Sequence, residues 1–321
     1  MQNLTTLQVI ALSLLDRVGN KTVMRIGEVL DEKQITISTP NDMFDFLVMA
    51  KERKLVPRLP EFTSEDVAQK FVIAQRIINE SEAAGIHAVS YQDADYPKQL
   101  LKTIDEKGTP SAPIILYYKG DISTASLPGV AIIGTREPTS EGERSGEFLA
   151  GEFAKRGFNI VSGLAIGCDT CAHQGALKVN GKTTAFLAHG LTTVYPPQNE
   201  ELAKRIVENG GLLMSEYPIG TSLSPYNLVA RDRLQAGLAM ATLVIQTGEK
   251  GGTMHAALTT LKANKPLYAV LFKDSDTNNH EKCLGNAFLV KRGANYINGS
   301  DNLDEISEKI KNWEPFNDSL F

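Results

Sequence analysis

Apolar and polar positions follow two regimes along the chain. Up to residue 84 the apolar residues recur at helical spacing. Leu7-Gln-Val-Ile-Ala-Leu-Ser-Leu-Leu15 reads as one helix, Val23–Leu30 opens a second, and Glu65–Ala84 makes a longer amphipathic one. Arg17-Val-Gly-Asn-Lys-Thr22 is the turn between the first two. From Ile86 short apolar runs alternate with helical stretches. Strands are predicted near 130–134, 158–162, 183–188, 211–215, 241–246 and 267–271, and helices near 140–155, 169–178, 198–209, 230–239 and 253–263. Strands that are apolar on both sides and separated by helices predict a parallel sheet with helices on both faces. The expected fold is therefore α/β, a doubly wound, mostly parallel sheet, with a small helical domain before it. The expected division is 1–85 helical, 86–312 sheet domain and 313–321 a short tail. Ser140-Glu-Gly-Glu143 reads as a capping box that starts the helix at 140.

In such a sheet a ligand sits beyond the carboxyl ends of the strands, and those ends carry a shared chemistry. The first ends Gly134-Thr135-Arg136, the second Ser162-Gly163-Leu164-Ala165-Ile166-Gly167, the third His189-Gly190 and the fourth Ser215-Glu216. The fifth ends Gln246-Thr-Gly-Glu-Lys250-Gly251-Gly252-Thr253, directly before a helix. Glycines let a ligand approach the backbone, and free amides at a helix N-terminus suit a phosphate. Arg136, Arg231, Arg233 and Lys250 are four cations expected to face one groove, with Arg231 and Arg233 near a helix start. Asn227 lies beside them, and Tyr226 is a candidate stacking ring. The spacing fits neither G-x-G-x-x-G nor a Walker A loop.

Composition narrows the classes. The 321 residues are 42% hydrophobic and 22% charged, as in ordinary soluble domains. No apolar run reaches the roughly 20 residues of a membrane helix, Met1–Leu15 lacks the basic start of a signal peptide, and three cysteines suit a reducing cytoplasm better than a disulfide framework. Net charge is −5, yet residues 130–270 carry 13 basic and 12 acidic side chains. An anion site must then be local, built from amides and a few cations rather than a global field.

The ordered blocks resemble the DNA-processing protein A (DprA/Smf) family. They are Asp95-Tyr-Pro-Lys-Gln-Leu100, Ile133-Gly-Thr-Arg136, Ser162-Gly-Leu-Ala-Ile-Gly-Cys-Asp-Thr-Cys-Ala-His173, Gly190-Leu-Thr-Thr-Val-Tyr-Pro-Pro-Gln-Asn199, Leu213-Met-Ser-Glu-Tyr-Pro-Ile-Gly220 and Leu284-Gly-Asn-Ala-Phe-Leu-Val-Lys-Arg-Gly-Ala294. The resemblance spans about residues 91–310. It implies an extended Rossmann domain that binds single-stranded DNA, protects it and hands it to RecA recombinase in natural transformation. It also implies a cytoplasmic homodimer with no enzymatic activity and no cofactor. The alternative within the superfamily is a nucleotide-sensing domain. The first two helices resemble a helix-hairpin-helix element, for which a plain packing unit is the simpler account. Members of the family often carry a winged-helix tail, which is not expected in 313–321. The chain departs from a family pattern close to W-N-F-P-x-R-N-R. It reads Tyr226-Asn-Leu228-Val-Ala-Arg231-Asp232-Arg233, so that Leu228 lacks a π-face and Asp232 adds a negative charge. Gln246 and Gly251 stand where glutamate and serine are common.

Three sharper readings give way to plainer ones. Cys168-Asp-Thr-Cys171 with His173 suggests zinc, but the distant His280-Glu-Lys-Cys283 has the wrong spacing for a second ligand pair. No metal is expected. Asp169 and His173 with Ser162 suggest a triad, but Ser162 is not in a G-x-S-x-G elbow. Asp169 and His173 are expected to orient loops instead. Glu216 and Glu249 could act as acid and base. The glutamate that N-glycosidic hydrolysis would need after Gly252-Thr253 is absent.

Overall fold

The computed structural model describes residues 4–313, so most of the expected tail lies outside the described residues. The chain forms two compact units. One covers residues up to 101 together with 112–117, and the other covers 102–111 and the chain from 118 onward.

The first unit holds α1 (Thr6–Ser13), α2 (Asn20–Lys33), α3 (Pro40–Glu52), α4 (Ser64–Ala83) and β1 (His87–Ser90). Three of its helices start on capping boxes, Thr5 with Gln8, Thr39 with Asp42 and Thr63 with Asp66. α3 was not expected. Its apolar positions Met43, Phe46, Leu47 and Ala50 are spaced for one buried helical face, and Pro40 is pre-organised for the first turn. β2 (Ile115–Gly120) follows.

The second unit continues with β3 (Gly129–Ile133), α5 (Ser140–Lys155), β4 (Asn159–Ser162), α6 (Cys168–Lys178), β5 (Thr183–Phe186), α7 (Glu200–Glu208), β6 (Leu212–Ser215) and α8 (Pro225–Leu238). β7 (Ala241–Val244), α9 (Gly252–Lys262), β8 (Leu267–Val270), α10 (Ser275–Asn279), α11 (Leu284–Val290), β9 (Asn295–Ile297) and α12 (Leu303–Lys311) complete it. Seven strands lie in the order β6-β5-β4-β3-β7-β8-β9, and every pairing from β5–β6 to β8–β9 is parallel. This is the doubly wound α/β sheet that the strand pattern predicts. The chain steps outward from β3 to β6, then crosses back to β7, so the switch point falls between β3 and β7. There Thr135 N donates to Gln246 O at 2.8 Å.

Strands buried on both faces divide the core. Val130, Ile132, Ile160 and Leu243 pack with α5 and α6 through Leu149, Phe153 and Ala172. Ile133 and Val244 pack with α9 and α11 through Met254, Ala257 and Leu289. Two sequence expectations need correction. α5 starts on Thr139, whose side chain accepts from Gly142 N, and not on a box at Ser140–Glu143. α8 starts at Pro225 with Ser224 as its cap, which places Tyr226 and Asn227 in its first turn and Arg231 and Arg233 well inside it.

Candidate functional site

The loops at the carboxyl ends of β3 and β4 are pressed together by missing Cβ atoms. A Cβ on Gly134 would strike Cys168 Sγ. Gly167, at φ +82, leaves room for the Thr135 and Arg136 backbone, which its Cβ would meet at 2.5–2.6 Å. Cys168 N donates to Thr135 O at 3.1 Å, joining the start of α6 to this loop. Arg136 emerges from the junction exposed to solvent.

The β4–α6 loop is held from within. Ser162 Oγ donates to Ile132 O at 2.7 Å, which leaves it no nucleophilic role. Asp169, buried in the first turn of α6, takes the amides of Gly163 and Ala165 on Oδ2 at 3.1 and 3.3 Å. Burial pushes its carboxyl upward while the nearby Arg231 charge opposes that shift. Leu164 sits at φ +62, and its carbonyl accepts from Asn199 Nδ2 at 2.8 Å. His173 is fully buried and reaches Thr183 Oγ1 through Nδ1 at 2.7 Å. Burial, with Arg231 adding to it, lowers its pKa to about 3, so the ring is neutral.

Of the four expected cations, Arg136, Arg231 and Lys250 line one cleft and Arg233 does not. Arg231 is turned inward and is 5% exposed. Its Nη1 donates to Gly163 O at 2.5 Å and to Phe186 O, and Nε donates to Asp232 Oδ1 at 3.0 Å. It therefore ties together the ends of β4 and β5. Arg233 forms a two-pronged pair with Glu216 at 2.6 and 2.7 Å and also bonds Ser111. That pairing removes the Glu216 carboxylate from acid–base use. Arg136 and Lys250 are exposed and have no hydrogen-bond or ion-pair partner among the described residues.

Those two side chains line a cleft of about 360 Å³ with Gly134, Thr135, Asp169, Arg231, Asp232, Gln235 and Gly251–Thr253. The first-turn amides of α9 have no acceptor inside their own helix and carry the positive end of its dipole. Gly251, at φ +117, lets the chain turn into α9, and Thr253 Oγ1 donates to Gly134 O at 2.9 Å, fixing α9 to the end of β3. Asp232 stands at the edge of this cradle, with Oδ2 3.3 Å from where a Cβ on Gly252 would lie. Burial raises its pKa to about 6 despite Arg231. Gln246 is wholly buried and supports the rim. It accepts from Thr139 N at 2.9 Å and donates to Thr139 Oγ1 and Cys283 Sγ at 2.8 and 3.1 Å.

A second, more apolar and much smaller cleft of about 60 Å³ shares Arg136, Ala165 and Arg231 with the first. Ile166, Leu187, His189, Tyr195, Pro196, Leu223 and Leu228 complete its wall. Sequence reasoning missed it. His189 and Tyr195 were visible only as a strand end and as part of a motif, and their meeting depends on the fold of the β5–α7 connection. Tyr226 is 80% exposed on the first turn of α8 and lines neither cleft, and Asn227 N is held by Ser224 Oγ at 3.1 Å. Cys168, Cys171 and Cys283 are free and buried, and burial pushes the Cys171 thiol up to about 11. Among the described residues, no three His, Cys, Asp or Glu side chains gather as a metal site.

Comparison with known proteins places this architecture. A family model described as DNA recombination-mediator protein A matches residues 87–311. Protein Smf of Synechocystis is 39% identical over 209 residues, which is 64% of this chain and 50% of that protein. The chain thus spans half the length of that relative. The solved DNA processing protein A of Streptococcus pneumoniae shares the fold with a TM-score of 0.74, at 24% identity over 94% of this chain and 98% of that one. The DNA processing protein A of Helicobacter pylori, solved for its single-stranded DNA binding mode, matches with a TM-score of 0.60 and 29% identity. That match covers 72% of this chain and 99% of the other.

Proposed function

The chain belongs to the DNA recombination-mediator protein A family, and from that premise we propose that it binds single-stranded DNA by its phosphate backbone at the carboxyl end of the sheet. One observation carries the reading. Arg136 and Lys250, two exposed cations without hydrogen-bond or ion-pair partners among the described residues, flank the open N-terminus of α9 in one cleft. Phosphates supply the acceptors that such a cradle lacks. The single-stranded DNA binding of the Helicobacter pylori relative supports the same ligand. With a net charge of −5 the chain offers no global positive field to hold a duplex, whereas one flexible strand can follow a local cradle.

In this reading the protein shields incoming strands in the cytoplasm during natural transformation and passes them to RecA recombinase. It acts by binding rather than by chemistry, since the α9 entry carries Met254-His255-Ala256 where a hydrolase would place its carboxylate. It works as a homodimer in which the α11 segment, with Leu284 43% exposed, lies at the contact. Sedimentation at tens of micromolar protein tests the dimer, and a monomer there removes it.

Fluorescence anisotropy with single-stranded and duplex oligonucleotides across a salt series tests the main reading. Tighter binding of the single strand, falling steeply with salt as counterions are released, is the expected result. Equal affinity for the two forms, or binding indifferent to salt, overturns it.

A further inference from the structure

We propose that the groove between α3 and the chain at 60–62 receives a short acidic segment of a partner protein. Its apolar side chains enter the groove, and its carboxylates meet Arg53, Lys54 and Arg58 beside it. The inference stands apart from the single-stranded DNA reading, whose cradle belongs to the other unit.

α3 is apolar on two sides. Met43, Phe46 and Ala50 are buried in the core of the first unit. Phe44, Leu47, Val48 and Lys51 recur at the helical spacing of a second face. That face is open, since Val48 is 39% exposed where Met43 and Ala50 are 0% exposed. The chain then returns along it. Leu55 N donates to Ala50 O at 2.9 Å, Lys54 and Arg58 turn the backbone at φ +53 and +56, and buried Val56 and Leu59 anchor the connection. Pro60 and Phe62 thereby share with Phe44, Leu47 and Val48 the walls of a groove of about 370 Å³. Pockets that take a small apolar group fall within roughly 300–1,000 Å³. A continuous row of exposed aromatic and aliphatic side chains is stabilised by whatever covers it.

Charge selects the occupant. Residues 51–61 carry four basic and two acidic side chains, in a chain whose net charge is −5. Lys51 and Glu61, both lining the groove, neutralise one another at 2.8 Å. Arg53, Lys54 and Arg58 are exposed and have no hydrogen-bond or ion-pair partner among the described residues. Against these three cations stands the one remaining carboxylate of Glu52. The balance attracts an acidic segment and repels a basic one. A nucleic-acid strand fits less well, because it needs cations spaced along its backbone. Here they fall within six residues of a single connection, beside walls built from aliphatic and phenyl groups.

The test uses the full chain and three fluorescein-labelled synthetic peptides. One sets Leu and Phe anchors among Asp and Glu, a second replaces every Asp and Glu by Lys, and a third replaces the anchors by Ser. The acidic anchored peptide is expected to bind about tenfold more tightly than either control and to weaken as salt is raised. Arg53→Glu, Lys54→Glu and Arg58→Glu together should cost about tenfold, the scale of three exposed ion pairs, and flatten the salt dependence. Val48→Asp should lose the peptide at an unchanged melting temperature, because Val48 is already exposed, and Val48→Ile should keep it. Equal binding of the acidic and basic peptides, or no binding of the acidic one, overturns the proposal. Full binding by Val48→Asp does so too, by taking the anchors out of this groove. If the triple Glu variant loses single-stranded DNA instead of the peptide, the cations serve nucleic acid and the proposal falls. Self-association of wild type that disappears in Val48→Asp would make a second copy the occupant and would overturn it equally.

Discussion

Arg231 and Gly163 occupy one another's space. The guanidinium Nη1 donates to Gly163 O at 2.5 Å, and a Cβ on Gly163 would lie 2.5 Å from the guanidinium carbon. This glycine makes room for an arginine rather than for a ligand. Gly163→Ala is therefore expected to lose about 1–3 kcal/mol of stability through overpacking. Urea denaturation measures it, and an unchanged midpoint would mean that the guanidinium has other seats available.

Arg136 and Arg231 should separate cleanly under substitution. Arg136→Ala should weaken single-stranded DNA binding, lower the slope of log affinity against log salt by about one, and leave the melting temperature in place. Arg231→Ala strands the Gly163 and Phe186 carbonyls and the Asp169 and Asp232 carboxylates in a buried setting. Loss of about 3–5 kcal/mol is the expected scale for breaking such a pair. The check is to measure binding and thermal melting for each variant. A stable Arg231→Ala that binds DNA weakly would restore Arg231 as a direct phosphate contact.

The sheet was legible because its strands are short, apolar and separated by helices of ordinary length. Glycine at the strand ends marked the edge where both clefts lie. The roles of the charged residues were not legible, because direction is a property of packing. Arg231, Asp232 and Arg233 are consecutive, yet one points to strand-end carbonyls, one to the cradle and one to Glu216. A helix sends neighbours roughly 100° apart, so adjacency in sequence gives no shared face. Reading α8 as starting near 230 hid this. With its true start at Pro225, that phase could have been followed.

Acidification should strengthen binding at the cradle. Asp232 is raised from an ordinary 3.8 to about 6 by burial, with Asp169 adding to the rise and Arg231 and Arg136 opposing it. Lys250 lines the same cleft. A raised carboxyl favours the protonated fold, so its contribution to stability is present below 3.8 and is lost as pH rises through about 6. Above that pH the ionised group repels a bound phosphate, and below it the repulsion is removed. Affinity for single-stranded DNA should rise several-fold from pH 7.5 to 5.5, which corresponds to about 1 kcal/mol for one screened charge. Asp232→Asn should bind more tightly at pH 7.5 and lose that part of the pH dependence. Anisotropy titrations at both pH values decide it, and an Asn variant with the wild-type pH slope would clear Asp232 of the effect.

His173 should make the fold acid-sensitive by the opposite sign. Thr183 Oγ1 donates its own proton to Ile160 O at 2.6 Å, so it must accept from His173 Nδ1–H. The next proton can go only to Nε2, which is buried without a partner. Burial and the Arg231 charge together hold that protonation down to about pH 3, against an ordinary 6.5. A depressed histidine contributes stability that is whole above 6.5 and is lost progressively as pH falls toward about 3, because the unfolded chain takes up the proton first. At about 1.4 kcal/mol per pH unit, the loss by pH 4.5 should be about 2–3 kcal/mol. His173→Gln keeps a hydrogen-bonding side chain at this position without the titration. It should be less stable than wild type at pH 8, and the gap should narrow steadily below pH 6.5. Guanidinium unfolding of both proteins across that range measures the gap. A gap that stays constant with pH would show that the imidazole takes up its proton in the folded protein as readily as in the unfolded chain.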